Sequence, residues 1–132
     1  NSARKILLAF KDLDRKIKHR KTIFNIYQNF LSSIEGIILF DSAMHEVYWR
    51  FSFRVVTNKY RNDLVKTIRE AGFAASIWYP CIATWYTSSE ELFPVGEVIE
   101  SSIINLWVDE SCSESTAKSI AQVICNYFNN KG

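Results

Sequence analysis

Hydrophobic residues near the N-terminus recur at intervals of three, four or seven positions, the spacing of one face of an α-helix. This pattern predicts a single long helix from about Ala3 to Ser33. Gly36 tolerates the left-handed conformation that is common just after a helix, so the helix is expected to end there. The apolar face is formed by Ile6, Phe10, Leu13, Ile17, Phe24, Tyr27 and Leu31.

Two strand-like segments follow this helix. Residues 37–40 form a short apolar run, and residues 47–56 alternate between apolar and more polar side chains. A period of two is typical of a strand with one face on a core, so Met44 and His45 are expected in the turn between the two strands. The predicted core face of the second strand consists of Val47, Trp49, Phe51, Phe53 and Val55.

The middle of the chain predicts a helix followed by a third strand. Asn58 can cap the helix, Gly72 can end it, and a strand is expected over Ala74–Tyr79. Pro80 cannot donate a ladder hydrogen bond, so the strand should stop there or lie at an edge. The buried side of the helix is predicted to contain Leu64, Val65, Ile68 and Ala71.

The last third predicts a long loop and three further elements. The loop runs over residues 81–93, and it is followed by a short helix up to Ser102 and a fourth strand at residues 103–108. Ser111 with Glu114 has the spacing of a capping box for a closing helix. The element order predicts an α+β two-layer sandwich, with a mostly antiparallel four-stranded sheet, helices on one face and a lead-in helix at 1–35.

Length and composition favour one folded domain over residues 1–132. The chain is 48% hydrophobic and only 23% charged, which argues against disorder. Its uncharged apolar runs are far shorter than the roughly 20 residues that span a bilayer, and no signal peptide is visible. Three cysteines without a CxxC pair fit reduced thiols, so a cytoplasmic protein without a membrane partner is expected.

Positive charge is concentrated at the N-terminus. Residues 1–21 hold eight Lys or Arg residues against two Asp residues, although the net charge of the chain is only +2. A basic helix can bind nucleic acid through phosphates. The apolar periodicity instead favours a solvated charged face, and no aromatic interleaving accompanies the charge, so no nucleic-acid partner is expected.

Sequence motifs for metal, dinucleotide, P-loop and hydrolase chemistry are missing. His19 and His45 lie far in sequence from any cysteine at metal spacing, which indicates structural roles. Cys81 has no basic neighbour in sequence to activate it. The acidic pair Asp109 and Glu110 precedes the closing helix, where negative charge favours a helix N-terminus. No catalytic, cofactor-binding or metal-binding residue is therefore predicted.

Four aromatic residues at the end of the third strand and in the following loop are the best candidates for binding. Trp78, Tyr79, Trp85 and Tyr86 can stack on a sugar or a nucleobase and donate hydrogen bonds from indole and hydroxyl groups. The alternative is that these rings only close the edge of a small core. The pattern alone leaves both interpretations open.

The segment that carries this strand end reads RNDLVKTIREAGFAASIWYP. It resembles the small-domain signature of the DegT/DnrJ/StrS family of pyridoxal-phosphate sugar aminotransferases, which combines Arg-Asp-x-Leu, a helix, Gly-Ile and His-Tyr-Pro. Trp78 stands where the family usually has histidine. Residues 7–37 and 93–124 resemble the family's long helix and its closing turn, strand and helix. The matching residues are Arg61, Asp63, Leu64, Gly72, Phe73, Trp78, Tyr79 and Pro80 upstream of the loop, and Leu13, Asp14, Arg20 and Tyr27 in the first helix.

The resemblance implies the small C-terminal domain of a fold-type I enzyme that transfers an amino group from glutamate to a keto-sugar nucleotide. Pyridoxal phosphate would be bound by a separate domain, expected before residue 1, because Lys59, Lys66 and Lys118 lack the flanking sequence of the family's cofactor lysine. No cofactor is therefore expected on this chain alone. The resemblance also implies a homo-oligomer such as a dimer, and first-turn residues Ile6, Leu7 and Phe10 that contact another chain or fold back.

Two other function classes stay open. One is a free-standing, non-catalytic module that uses the same fold to bind a small ligand or a partner. The other is a nucleic-acid-binding domain built on the basic first helix. The coding sequence upstream of residue 1 would discriminate among the three, since only the aminotransferase hypothesis requires a continuous cofactor domain there.

Overall fold

The computed structural model describes residues 2–41, 47–86 and 93–131. The predicted turn residues Met44 and His45, and part of the predicted long loop, lie outside these ranges. The described elements, in chain order, are α1 (Ser2–Lys11), α2 (Leu13–Leu31), β1 (Ile37–Leu39), β2 (Arg50–Val55), α3 (Asn58–Glu70), a 3-10 helix (Ile82–Trp85), α4 (Pro94–Ser102), β3 (Ile103–Trp107) and α5 (Glu114–Asn129).

The prediction of a single long N-terminal helix is wrong, because the helix is interrupted at Asp12 and the chain forms two helices, α1 and α2. The Asp12 carboxylate accepts hydrogen bonds from Arg15 Nε at 2.5 Å and from Arg15 Nη2 at 2.7 Å. It also lies 3.7 Å from the Lys16 amine. A short acidic side chain that binds the following turn favours a helix start over a helix interior.

The end of α2 also differs from the prediction. The helix ends at Leu31, two residues before the predicted last residue Ser33 and five before Gly36, and two tight turns connect it to β1. Gly36 does not adopt a left-handed conformation. Instead it lies directly against the Phe128 ring, where a Cβ atom would overlap the aromatic carbons. Glycine is required at this position for close packing of the turn on α5.

The sheet has three antiparallel strands in the order β1-β2-β3 rather than four. The predicted third strand contributes only an isolated antiparallel bridge between Ser76 and Asn105. Beyond this bridge, the Asn105 side chain binds the Trp78 carbonyl at 2.9 Å, and Pro80 follows with no N–H to donate. A side-chain contact thus takes the place of the next ladder bond.

One face of the sheet carries the hydrophobic core. Phe51 and Phe53 of β2 lie opposite Leu106 and Ile104 of β3, and all four side chains are buried. Helices α2, α3 and α5 cover this face, as predicted for α3 and α5. Burial of these side chains removes a large apolar area from water and is the main source of stability.

The predicted core face of β2 holds only for its second half. Phe51, Phe53 and Val55 are buried, but Val47 is 60% exposed and Trp49 is 62% exposed. The ladder of β2 begins at Arg50, and a bend at Trp49 redirects the chain before it. Without strand partners on either side, this segment does not continue the alternation.

Helix termini confirm one prediction and correct two. Gly72 has a φ of 86° after α3, as expected for a left-handed residue that ends a helix. Thr57, rather than Asn58, precedes the first turn of α3. Ser113, rather than Ser111, caps α5, because its hydroxyl accepts a hydrogen bond from the Thr116 N–H at 3.1 Å. Ser111 instead binds Asp109.

Several basic residues of α2 have partners within the chain. Arg15 and Lys16 lie 3.6 and 3.8 Å from the Glu110 carboxylate, and Arg20 donates a hydrogen bond to the Tyr48 carbonyl at 3.1 Å. These contacts connect α2 to the segments that flank β2 and β3. They support a structural role for part of the basic face of α2.

The apolar residues of α1 remain uncovered. Ile6, Leu7 and Phe10 are 57%, 63% and 66% exposed, so the alternative that they fold back on the domain is wrong. Their contact with another chain stays a prediction. Within the described ranges, every helix is too short or too polar to cross a membrane.

Candidate functional site

A cavity of about 440 Å³ opens on the face of the sheet away from the core. Arg50 pairs with Trp107, and Ser52 pairs with Asn105, so their side chains alternate with the buried residues and emerge on this second face. The size is within the range of small-molecule sites. The described lining consists of Trp49, Arg50, Ser76, Trp78, Tyr79, Asn105 and Trp107.

Asn105 organises the floor of the cavity. It is only 1% exposed, and its backbone exchanges hydrogen bonds of 2.8 and 3.0 Å with Ser76. Its side-chain nitrogen donates to the Trp78 carbonyl at 2.9 Å, while its oxygen accepts from the Ser52 hydroxyl at 2.7 Å. The amide therefore ties the segment that carries Trp78 to the central strand of the sheet.

The backbone at Tyr79 is unusual for a residue with a side chain. Its φ is 154°, in a region that glycine favours, and Pro80 follows directly. Such a conformation persists only where the surroundings hold it, and it is frequent at ligand-binding sites. At this position it turns the chain sharply after Trp78 and places the Tyr79 ring at the cavity wall.

Arg50 lies between two indole rings. Its guanidinium carbon is 4.4 Å from the centroid of the Trp49 ring and 4.4 Å from that of Trp107. Both contacts are favourable because the ring quadrupoles attract the cation. Nη1 donates to the Trp49 carbonyl at 3.1 Å and lies 3.4 Å from Asp109 Oδ2. The side chain is thereby held in one orientation beside the cavity.

Asp109 supplies the negative charge next to this arginine. Its partial burial acts to raise the pKa of the carboxyl, but hydrogen bonds from the Ser111 hydroxyl and N–H, with the charges of Arg50 and Arg20, outweigh it. The pKa of Asp109 is therefore lowered, and the group is ionised near neutral pH. Its position in the sequence predicts that the negative charge of Asp109 favours the N-terminus of α5; the structure also places this carboxylate 3.4 Å from Arg50 Nη1.

The four aromatic residues predicted from the sequence divide into two pairs. Trp78 and Tyr79 line the cavity and are 63% and 43% exposed. Trp85 and Tyr86, at the end of the 3-10 helix, are 66% and 84% exposed and lie outside the described lining. Exposed rings with so little cover are not a plug for the core.

Sequence reasoning missed five residues of the described cavity lining, namely Trp49, Arg50, Ser76, Asn105 and Trp107. A signal for two of them was present. Arg50 belongs to the polar half of the alternating strand, and Asn105 is the single polar residue in the apolar run of β3. A lone amide in a buried strand requires hydrogen-bond partners, which here are the residues of the site.

The remaining chemical candidates have structural partners. His19 Nε2 lies 3.1 Å from the carbonyl oxygens of both Asp109 and Cys112, and since carbonyls only accept, this nitrogen donates. The three cysteines form no disulfide within the described ranges. Burial raises the pKa of both Cys112 and Tyr27, whose hydroxyl lies 3.4 Å from Cys112 Sγ. The described ranges contain no cluster of three metal-ligating side chains.

The cavity does not match a pyridoxal-phosphate site. None of its described lining residues is a lysine that could bind the aldehyde of this cofactor. Lys59, Lys66 and Lys118 are exposed on helices α3 and α5 and do not line it. The described residues form a wall of rings with one cation, not a cofactor cradle.

Helices on one face of the sheet and an aromatic cavity on the other define the described part of the chain as an α+β domain with a ligand-sized surface cavity. The model of the DegT/DnrJ/EryC1/StrS aminotransferase family matches residues 3–125. The chain belongs to this family. A search of curated protein sequences gave no match.

Solved structures share the fold. The aminotransferase TlmJ from Streptoalloteichus hindustanus is 15% identical, with a TM-score of 0.84 over 95% of this chain and 35% of that one. A DegT DnrJ EryC1 StrS aminotransferase from Brucella abortus is 20% identical, with a TM-score of 0.76 over 92% and 34%. The 3-amino-5-hydroxybenzoic acid synthase is 21% identical, with a TM-score of 0.74 over 91% of this chain and 36% of that one. The chain thus spans about a third of their length.

Proposed function

We propose that this chain is the C-terminal small domain of a pyridoxal-phosphate-dependent aminotransferase that acts on a keto-sugar nucleotide. The cofactor domain of the parent protein is assigned to a region outside the present sequence. Membership of the aminotransferase family and the share of each solved relative that the chain covers support this proposal.

The observation that carries the proposal is the aromatic cavity on the open face of the sheet. Trp78 and Tyr79, which lie in the segment that resembles the family's His-Tyr-Pro signature, line it together with Trp49 and Trp107. Rings of this kind stack on sugar or nucleobase faces. The cavity is therefore the part of the domain suited to face a nucleotide sugar.

In the proposed parent, this domain binds and orients the substrate and keeps water away from it. Pyridoxal phosphate supplies the electron sink for amino-group transfer when bound. The described lining of the cavity contains no lysine, so we assign the binding of pyridoxal phosphate to the other domain. The exposed apolar residues of α1, including Leu7 and Phe10, are assigned to the contact with the rest of the parent or with a second subunit.

Trp78, in place of the family histidine, changes the shape and the polarity of the proposed substrate site. The indole adds apolar area and removes a titratable group, which favours a larger or less polar substrate face than a histidine would. We propose glutamate, the family's usual amino donor, as the donor here, and a homo-oligomer in the cytoplasm as the working form.

An assay of the parent protein tests the proposal. Purified full-length protein, supplied with pyridoxal phosphate, glutamate and a panel of 3-keto and 4-keto sugar nucleotides, is expected to form an amino sugar nucleotide together with 2-oxoglutarate. Formation of neither product by a folded, cofactor-loaded protein would contradict the assignment.

A second experiment tests the division of labour between the domains. The 132-residue chain is expected to bind pyridoxal phosphate no better than an unrelated protein of similar lysine content, because its cavity offers no described lysine. The measurement is the visible absorbance of the protein-bound cofactor and its loss with borohydride. Stoichiometric absorbance would show that this chain carries a cofactor site of its own.

A further inference from the structure

We propose that Arg50 is a specificity-determining residue that binds an oxyanion, a carboxylate or a phosphate, on a ligand whose ring stacks in the aromatic cavity. This inference names the ligand chemistry of the site described above and rests on the proposed function. It is carried by the arrangement of Arg50 between the two indole rings.

Stacking restricts how Arg50 can bind a ligand. The guanidinium carbon lies 4.4 Å from the centroids of both the Trp49 and the Trp107 rings, and the N–H groups of a guanidinium lie in its own plane, so a ligand would form hydrogen bonds with its edge. The hydrogen bonds found within the described ranges leave from Nη1 alone. The edge formed by Nε and Nη2 is the part of an arginine that matches a carboxylate or a phosphate in a bidentate contact.

Asp109 holds Arg50 in place without saturating it. The Nη1 to Oδ2 distance of 3.4 Å is long for a charge-assisted hydrogen bond, which is usually about 2.7–2.9 Å. The other carboxylate oxygen, Oδ1, is occupied by the Ser111 hydroxyl and N–H. A second cation, Arg20, also acts on Asp109. The contact between Arg50 and Asp109 is therefore not a close bidentate ion pair, and within the described ranges the edge formed by Nε and Nη2 of Arg50 makes no hydrogen bond.

The partial burial of Arg50 favours an anionic ligand over a neutral ligand of the same shape. The Arg50 side chain is 16% exposed, so much of its hydration has already been lost. A ligand oxyanion would replace the missing water contacts in surroundings of reduced dielectric, where such an interaction is stronger than on an open surface. A neutral ring of the same shape would gain the stacking alone.

Arg54 provides a matched comparison on the same strand. It lies four residues further along β2, an even offset, and therefore on the same face of the sheet. Its Nε donates to the Ser102 hydroxyl at 2.8 Å, and Ser102 is only 1% exposed. Arg54 does not belong to the described lining of the cavity. It therefore serves the packing of α4 on the sheet.

The test is an NMR titration of the 132-residue chain that follows the indole N–H signals, with benzoate, benzamide and phenyl phosphate as probes. We expect the two anions to bind at least tenfold more tightly than benzamide. Arg50→Gln should reduce their affinity to that of benzamide, whereas Arg54→Gln should leave the preference unchanged. Arg50→Lys, which keeps the charge but not the planar fork, should retain part of it.

Equal binding of benzoate and benzamide would overturn the inference, as would a preference for anions that survives in Arg50→Gln, or binding of none of the three probes. If Arg50→Gln does not fold, the Arg50→Lys variant and the comparison of charged with neutral probes on the unmodified chain still decide the matter. The titration needs neither cofactor nor sugar nucleotide. Its failure is therefore distinguishable from failure of the transamination assay.

Discussion

The two faces of the sheet are built from the same strands and serve opposite purposes. On one face, Phe53 and Ile104 meet beneath three helices and are fully buried. On the other face, Arg50 and Trp107 meet beside an open cavity. Successive residues of a strand point to opposite sides, so one stretch of sequence supplies both the core and the site.

This difference indicates that the helix-covered face determines stability and the open face determines ligand binding. Apolar area is removed from water almost entirely on the helix-covered face, whereas the open face keeps large aromatic rings exposed, such as Trp49 at 62% and Trp78 at 63%. Exposed rings grouped around a cation contribute little to folding and are typical of binding surfaces. Substitutions on the two faces should therefore separate stability from ligand binding.

The largest effect is expected on the covered face. Phe53→Ala should lower the free energy of unfolding by about 3–5 kcal/mol, because Phe53 is 0% exposed and its loss leaves a cavity in the core. Urea denaturation measures this change. Val56→Ala, at a 60% exposed position just after β2, is the control and should cost less than about 0.5 kcal/mol. Similar costs for both would contradict the assignment of the core.

An intermediate effect is expected at the residue that connects the two faces. Asn105→Ala should cost about 1–3 kcal/mol, because the Trp78 carbonyl and the Ser52 hydroxyl lose their partner. Amide hydrogen exchange should also accelerate over residues 74–79. Ser52→Ala, which removes only one of these hydrogen bonds, should have the smaller effect. Unchanged exchange in this segment would show that Asn105 does not hold it.

A small effect on folding is expected on the open face. Trp49→Ala should change the free energy of unfolding by less than about 1 kcal/mol, because the ring is mostly exposed. The same variant should weaken binding of benzoate to the cavity several-fold. A loss of stability as large as that of Phe53→Ala, with binding intact, would place Trp49 in the core instead.

The smallest effect concerns pH. The pKa of Asp109 is lowered in the folded chain, so its ionised form contributes stability above the unfolded value of about 3.9. That contribution, at most about 1 kcal/mol, is lost as the pH falls through the folded pKa. Thermal melts from neutral to acidic pH should show a shallower acid-side decline for Asp109→Asn than for Asp14→Asn. Parallel curves would contradict the coupling to Arg50.

The covered face could be predicted from the sequence because hydrophobic periodicity determines it. The buried residues of α3, namely Leu64, Val65 and Ile68, and those of β2 from Phe51 onward follow the expected spacing. The period of each pattern encodes which side meets the core. The order of the elements and the antiparallel sheet follow from the same patterns.

Features that depend on single contacts were not predictable. The break at Asp12 depends on its contact with Arg15, and the role of Gly36 depends on Phe128, which is distant in sequence. The strand expected at residues 74–79 is reduced to one bridge because a side chain, that of Asn105, takes the next carbonyl. Periodicity carries no information on such contacts.

The candidate site was predictable only in part. Trp78 and Tyr79 stand out in the sequence because they precede Pro80 at the end of an apolar run. Their partners Trp49 and Trp107 come from other strands, and only the register of the sheet brings them together. Binding by Trp85 and Tyr86 stays a prediction.

The measurement that tests the central claim most directly is the catalytic efficiency of the parent protein with Trp78→Ala. We expect kcat/KM for the sugar nucleotide to fall by about tenfold or more, which corresponds to about 1–3 kcal/mol, while the melting temperature changes little. Val56→Ala is the control, since Val56 is 60% exposed, similar to Trp78, but lies outside the described lining of this cavity. Trp78→His should shift the preference among sugar nucleotides. If Trp78→Ala transaminates as well as the unmodified protein but melts much lower, Trp78 belongs to the packing and the cavity does not face the substrate.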